Sequence, residues 1–176
     1  SGATRIGVPV RRPRRADGPM EIPVSVPTHA SATLVHASGV VGTFVASFDM
    51  WDPVRLPDLE IYGAEGTLES GHPAWFDGDV LVRRHHDPDW RVLPALLPDV
   101  HAGRERFPLV RGLGVLDLVD ALEGGPARTG SALALHTLEV LEAIQTASDE
   151  GRAVAITTAP PRPAPLDART VERWFA

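Results

Sequence analysis

Side chains alternate in character along residues 26–50, and this run constrains the fold more than any other feature of the chain. Two alternating stretches flank a short loop at residues 37–39 that ends in glycine. Successive side chains of a strand point to opposite faces, so the pattern predicts a long β-hairpin. Small and hydroxyl side chains recur along both strands, which is typical of a sheet face that meets another surface closely.

More strands are predicted in the first hundred residues. Residues 56–62 and 67–69 flank a glycine-containing turn and predict a second hairpin. Residues 80–83 and 90–93 predict two strands that pair around a loop. That loop contains His85 and His86, and neighbouring side chains of an extended strand point apart. We therefore interpret it as a solvated loop, with no metal site.

Helical periodicity replaces the alternation after residue 100. A first helix is predicted over 109–123 and a longer one over Ser131–Glu150, with Gly151 at the position that follows a helix. Residues 152–156 predict a returning strand, and a Pro-rich stretch leads to a short helix capped by Asp167. The apolar face of the first helix is predicted to consist of Val115, Leu118, Val119 and Leu122.

Strands followed by helices indicate an α+β fold, namely a large open, mainly antiparallel sheet with two long helices packed on one face. We expect residues 1–157 to form this domain and residues 158–176 to form a Pro-rich tail with a short helix. The hairpin carries no Lys, Arg or Glu between Val24 and Asp49, although a face exposed only to water would carry them. We therefore expect a homo-oligomer, most simply a dimer, through the helix-free face of the sheet.

Composition excludes several functional classes. The chain of 176 residues has 23 acidic against 17 basic residues, which argues against a general nucleic-acid binder. No apolar run approaches the ~18 residues that span a bilayer, so we expect that the chain is not a transmembrane protein. Cysteine is absent, and no signal peptide is visible, so we expect a cytoplasmic protein. The chain begins without Met in a strand-like run, and we expect it to be part of something longer.

Several sequence blocks, taken in order, resemble the C-terminal domain of the glucose-fructose oxidoreductase, inositol dehydrogenase and rhizopine-catabolism (Gfo/Idh/MocA) family. The order of the blocks is more persuasive than any single one, and the resemblance covers roughly residues 4 to 156. The blocks are residues 26–34, 37–43, 47–49, 60–68 and 133–154, of which 60–68 reads Glu-Ile-Tyr-Gly-Ala-Glu-Gly-Thr-Leu.

The resemblance implies a parent oxidoreductase that uses NAD or NADP bound by an N-terminal Rossmann domain. This chain has no Gly-x-Gly-x-x-Gly segment that opens a helix, and it contains no lysine that could serve as the family's catalytic residue. We therefore expect no catalytic or cofactor-binding residues here, and an isolated chain that is catalytically inactive.

Four residues are candidates for substrate binding. His29 lies on a predicted strand, and a neutral imidazole both donates to and accepts from sugar hydroxyls, although a satisfied interface histidine is the simpler interpretation. Trp51, near Asp49, suits carbohydrate recognition or serves as a packing anchor. Arg111 precedes a helix and would clamp a carboxylate or phosphate, or form a surface ion pair. His136 lies at the edge of the apolar side of the long helix, where a core histidine with one partner is the simpler interpretation.

These observations predict the substrate-binding and oligomerisation domain of an NAD(P)-dependent oxidoreductase acting on a sugar, polyol or related hydroxylated compound. The alternative is a non-catalytic interaction module that self-associates through its β-sheet.

Overall fold

The computed structural model describes residues 1–12, 20–50, 57–70, 79–94 and 112–175, which adopt an α+β fold of antiparallel strands and three helices. The chain divides into two compact units, Ser1–Pro53 with Gly130–Pro161 and Val54–Thr129 with Arg162–Ala176. The strands are β1 (Gly2–Arg5), β2 (Val10–Arg11), β3 (Ile22–Pro23), β4 (His29–Val35), β5 (Val41–Ser47), β6 (Leu59–Gly63), β7 (Gly66–Ser70), β8 (Val80–Arg84) and β9 (Arg91–Val92). The helices are α1 (Leu113–Leu122), α2 (Ser131–Glu150) and α3 (Ala168–Phe175).

The first unit contains the predicted long hairpin. Strands β4 and β5 pair antiparallel along their whole length, from His29 opposite Ser47 to Val35 opposite Val41. The connecting turn includes Gly39 at φ +87°, a backbone conformation that glycine adopts without steric cost. Strand β1 pairs with the other edge of β4, so the order of this sheet is β1-β4-β5.

Helix α2 packs on one face of the β1-β4-β5 sheet. The backbone N–H and the hydroxyl of Thr4 both donate to the Ser148 hydroxyl, at 2.9 and 3.2 Å. Gly2 lies so close to the helix that a Cβ on it would stand 2.8 Å from the Ile144 carbonyl oxygen. Ile144 and Ala32 are among the few buried apolar residues, and they mark the core of this unit.

The described strands form three antiparallel sheets, so the prediction of one large sheet is corrected. Besides β1-β4-β5 there is a two-stranded sheet of β2 and β3 and a four-stranded sheet of order β6-β7-β8-β9. In the four-stranded sheet each strand pairs with its neighbour in sequence, and such local pairing closes only short loops.

The segment after α2 is not a strand, so the prediction for residues 152–156 is wrong. These residues have neither helical nor ladder hydrogen bonding, although Gly151 ends α2 at φ +63° as predicted. The first N–H groups beyond them, those of Thr157 and Thr158, donate to a carboxylate of α2. The segment is therefore held by a side chain and not by a neighbouring strand.

In the second unit, α1 faces the opposite way from the prediction. The four residues predicted as its apolar face are 45–80% exposed, with Leu122 the most exposed, whereas Leu113, Asp117 and Asp120 are buried. Helix α3 begins as predicted, because the Asp167 carboxylate accepts the Thr170 N–H at 2.8 Å. That backbone hydrogen bond lowers the pKa of Asp167.

None of the described helices combines the length and the apolar character needed to cross a membrane.

Candidate functional site

One face of the β1-β4-β5 sheet carries exposed side chains, and we call it the open face. It consists of the odd-numbered residues of β1, β4 and β5, since the even-numbered ones share the face on which α2 contacts β1 and β4. Val35, Val41 and Val45 on this face are 74%, 64% and 62% exposed. His29 lies on the same face at the start of β4 and is half-buried. The open face is therefore apolar at the end near Val35 and polar at the end near His29.

Asp49, which follows β5, is engaged within the protein. Its Oδ2 accepts the Thr28 hydroxyl at 2.6 Å and the Gly7 N–H at 3.1 Å. Its Oδ1 accepts Arg11 Nη2 at 3.0 Å, and the same nitrogen donates to the Phe48 carbonyl. A Cβ on Gly7 would collide with the Asp49 carboxylate in this position, so the absence of a side chain permits this close approach. The cluster joins the chain beyond β1 to the end of β5.

A second cluster, which we call the Glu139 clasp, consists of Glu139, Thr157, Thr158 and His136. Glu139 Oε1 accepts the N–H and the hydroxyl of Thr157, at 2.7 and 2.6 Å. Its Oε2 accepts the Thr158 N–H at 2.9 Å and the Thr158 hydroxyl. Nδ1 of His136 lies 2.8 Å from the same hydroxyl oxygen. The clasp fixes the segment after α2 along this helix.

The hydrogen bonds of the clasp define the role of each His136 nitrogen. The single proton of the Thr158 hydroxyl goes to Glu139, so His136 Nδ1 must donate to the hydroxyl oxygen. In the neutral imidazole Nε2 then carries the lone pair and acts as an acceptor. Thr158 is correspondingly unsuited as a nucleophile, because His136 does not accept its proton.

The pKa of Glu139 falls from 4.5 to about 2. The Thr157 hydroxyl is the largest cause, followed by the Thr158 hydroxyl and the two backbone N–H groups. All four donors favour the ionised carboxylate. Glu139 is thus a charged anchor at neutral pH.

The structure places the predicted substrate-binding residues in different layers. His29 lies on the open face, whereas His136 lies on α2, which packs against the opposite face of the sheet at β1 and β4. The two histidines therefore do not come together. Trp51 and Arg111 lie outside the described residues.

A buried ion cluster in the second unit was missed by the sequence analysis. Asp117 Oδ2 accepts the N–H groups of Arg128 and Thr129 at 3.1 Å each, and its Oδ1 accepts Arg128 Nη1 at 2.8 Å. Arg173 of α3 donates to Asp120, whose Oδ2 lies 3.7 Å from Arg128 Nη1 and makes no hydrogen bond to any described residue. The spacing of Asp117 and Asp120 on the polar side of α1 was a usable signal, because carboxylates three residues apart share a helix face.

Burial raises the pKa of Asp117, but the hydrogen bonds from Arg128 and Thr129 outweigh burial, so the pKa is lowered. Arg128 and Asp117 are almost completely buried together, at 11% and 6% side-chain exposure. The cluster thus joins α1 to the turn before α2 and to α3.

The histidine pair lies in a loop, as predicted. His85 and His86 are exposed residues of the turn that follows β8, and their ring centroids are 4.4 Å apart. Because the pair occupies a turn, the expectation that the two rings point to opposite faces of a strand does not apply. Among the described residues no group of three His, Asp or Glu side chains is arranged to hold a metal ion.

Comparisons with protein families, with curated proteins and with solved structures find no match to this chain.

Proposed function

We propose that this chain is the substrate-binding and oligomerisation part of a cytoplasmic NAD(P)-dependent oxidoreductase that acts on a sugar, polyol or related hydroxylated compound. NAD or NADP belongs in this proposal to an N-terminal Rossmann domain of the parent protein, and the chain alone is catalytically inactive. The order of the sequence blocks supports the proposal, as does an α+β fold in which a helix packs against one face of an antiparallel sheet. The packing of both long helices on one face is part of the same proposal.

The observation that carries the proposal is the open face. Val35 and Val41 lie directly opposite each other at one end of the β4-β5 hairpin, and Val45 is exposed on the same face beyond the Thr33–Thr43 pair. Exposed apolar patches of this kind mark interaction sites. Two copies that pair through the same face form an isologous contact, which is the commonest symmetry of soluble oligomers.

Light scattering coupled to size exclusion, at micromolar protein, tests the oligomer. The monomer mass is 18.9 kDa, and we expect about twice that value. Val45→Lys should give the monomer, because a lysine buried between two faces is left without a partner. Val92→Lys is the matched control, since Val92 is 59% exposed on β9 of another sheet. A native chain that elutes as a monomer contradicts the account of the open face.

The oxidoreductase part is tested on the protein encoded by the complete reading frame. We expect that protein to contain a Gly-rich phosphate-binding turn and to reduce NAD or NADP with a hydroxylated substrate, measured by NAD(P)H absorbance across a panel of polyols and sugars. Calorimetry on the 176-residue chain should show no binding of either nucleotide. Micromolar nucleotide affinity of the chain, or a complete protein without such a turn and without turnover, contradicts the proposal.

The second candidate is a non-catalytic module that self-associates through the sheet. The exposed valines favour it as strongly as they favour the oligomerisation part of the first proposal. A dimer encoded by a reading frame without a dinucleotide-binding segment is the result that selects this candidate.

A further inference from the structure

Three side chains of different chemistry form one row across the open face. Arg5 of β1 lies directly opposite His29 of β4, and His29 lies directly opposite Ser47 of β5. Directly opposite residues on neighbouring strands have their Cβ atoms about 5 Å apart. The guanidinium, the imidazole and the hydroxyl can therefore reach one small ligand together.

All three side chains point away from α2. Thr4, the neighbour of Arg5, contacts Ser148 of α2, so Arg5 projects from the opposite face. His29 and Ser47 project from the same face as Arg5, because directly opposite residues of neighbouring strands share a face. The row also lies where β1 and β5 end and β4 begins.

Each member of the row has unused hydrogen-bonding capacity. In the described part of the chain, the Arg5 guanidinium makes no hydrogen bond or ion pair and Arg5 is exposed. The Ser47 oxygen accepts the Asp49 N–H at 3.2 Å, which leaves the hydroxyl proton free to donate. His29 donates from at least one ring nitrogen in either tautomer. The row therefore presents donors from all three strands.

No carboxylate on the open face neutralises Arg5. The odd-numbered residues of β1, β4 and β5 include no Asp or Glu. Asp49, the carboxylate that follows β5, is engaged by Arg11, Thr28 and Gly7. An unpaired guanidinium with donors beside it is suited to a planar carboxylate or a phosphate, which arginine binds through two parallel hydrogen bonds.

We propose that the Arg5-His29-Ser47 row binds the anionic group, carboxylate or phosphate, of a hydroxylated compound. The ligand class is thus a sugar acid or a sugar phosphate, with Arg5 holding the charge. His29 and Ser47 donate to the remaining oxygens. The role of this compound as the substrate rests on the proposed function, whereas the anion site rests on the row alone.

The row lies at one end of the open face, and Val35 and Val41 of the proposed dimer contact lie at the other end. His29 and Val35 are six residues apart on β4, which corresponds to about 20 Å along a strand. Val45 lies two residues from Ser47 on β5, so the dimer contact centred on Val35 and Val41 extends to the border of the row.

Binding to the 176-residue chain tests the site. Isothermal titration and NMR with D-gluconate, D-glucose 6-phosphate and the neutral polyol D-sorbitol compare a carboxylate, a phosphate and no charge. We expect at least one anion to bind more tightly than D-sorbitol and to shift the His29 ring signals, which His29→Gln identifies. Arg5→Gln should weaken anion binding about tenfold or more, because a charged hydrogen bond is lost.

Arg152→Gln is the matched control, since Arg152 is an exposed arginine of the same unit that pairs with Glu150. It should bind the anion as the native chain does. The inference is overturned when neither anion binds at millimolar concentration, or when Arg5→Gln and Arg152→Gln bind equally well. This readout is binding and not turnover, so its failure removes the anion site, whereas failure of the proposed function shows as missing turnover in the complete protein.

Discussion

Asp117 on α1 and Glu139 on α2 make the same kind of contact in very different surroundings. Each carboxylate accepts the N–H groups of two successive residues and at least one threonine hydroxyl. Asp117 is buried and also accepts a hydrogen bond from the guanidinium of Arg128. Glu139 is more exposed, and its four hydrogen bonds come from Thr157 and Thr158 without a guanidinium.

The difference shows two ways to keep a carboxylate ionised. At Asp117 a buried guanidinium and hydrogen bonds overcome the effect of burial on the pKa. At Glu139 hydrogen-bond donors alone lower the pKa to about 2. Removal of the carboxylate should therefore have unequal effects, since only Asp117 would leave a buried charge behind.

The largest effect is expected from Asp117→Ala. Loss of the carboxylate leaves the buried guanidinium of Arg128 with the Pro165 carbonyl at 3.5 Å and Asp120 at 3.7 Å, and the free energy of unfolding should fall by about 3 kcal/mol. Urea denaturation followed by circular dichroism measures this change. Asp149→Ala removes an exposed carboxylate that binds only Gln145 among the described residues, and it should change stability by no more than about 0.5 kcal/mol. Equal losses of stability in the two variants would show that the buried ion cluster contributes no more to stability than an exposed carboxylate does.

A smaller and more local effect is expected from Glu139→Gln. An amide offers one acceptor oxygen in place of two, and its NH₂ group faces the donors of one threonine. Amide hydrogen exchange at Thr157 and Thr158, measured by NMR, should accelerate about tenfold or more, while exchange in β4 is unchanged. Glu142→Gln, an exposed substitution on the same helix, should leave both amides protected. Unchanged protection in Glu139→Gln would contradict the clasp.

The smallest effect is expected from acid. Because the pKa of Glu139 in the folded chain is lowered from 4.5 to about 2, its contribution to stability is fully present above pH 4.5 and is lost as the pH falls towards 2. NMR titration of the Glu139 carboxyl carbon should give the low pKa, and Thr157→Val should raise it, since that hydroxyl is the largest cause. A native pKa near 4.5, or no rise in Thr157→Val, would contradict this assignment.

The hairpin and α2 could be predicted because their signals are local. Alternation over residues 26–50 indicated β4 and β5, and the 20-residue helix Ser131–Glu150 was predicted with the bounds that it has. Asp167 acts as the predicted cap of α3. In these cases the hydrogen-bond partners lie close in sequence or follow from a regular repeat.

The candidate site was less predictable, because its residues are distant in sequence and come together only in the folded chain. His29 was named from the sequence, but Arg5 was not, since the pairing of β1 with β4 joins residues 24 positions apart. His136 was expected to have one partner, yet nothing local indicated that this partner would be Thr158, which also binds Glu139.

The sequence by itself determined the kinds of elements in this protein, because backbone hydrogen bonding and side-chain period are properties of short segments. Tertiary structure decided which surfaces these elements bury. The apolar residues of α1 predicted a helix correctly, but Asp117 and Asp120 lie on its buried side with Leu113. Arg128 and Arg173 supply the charges that make burial of these carboxylates possible. Segment 152–156 had the composition of a strand, but a strand forms only where a partner strand is available. The N–H groups that follow this segment donate to the Glu139 carboxylate instead.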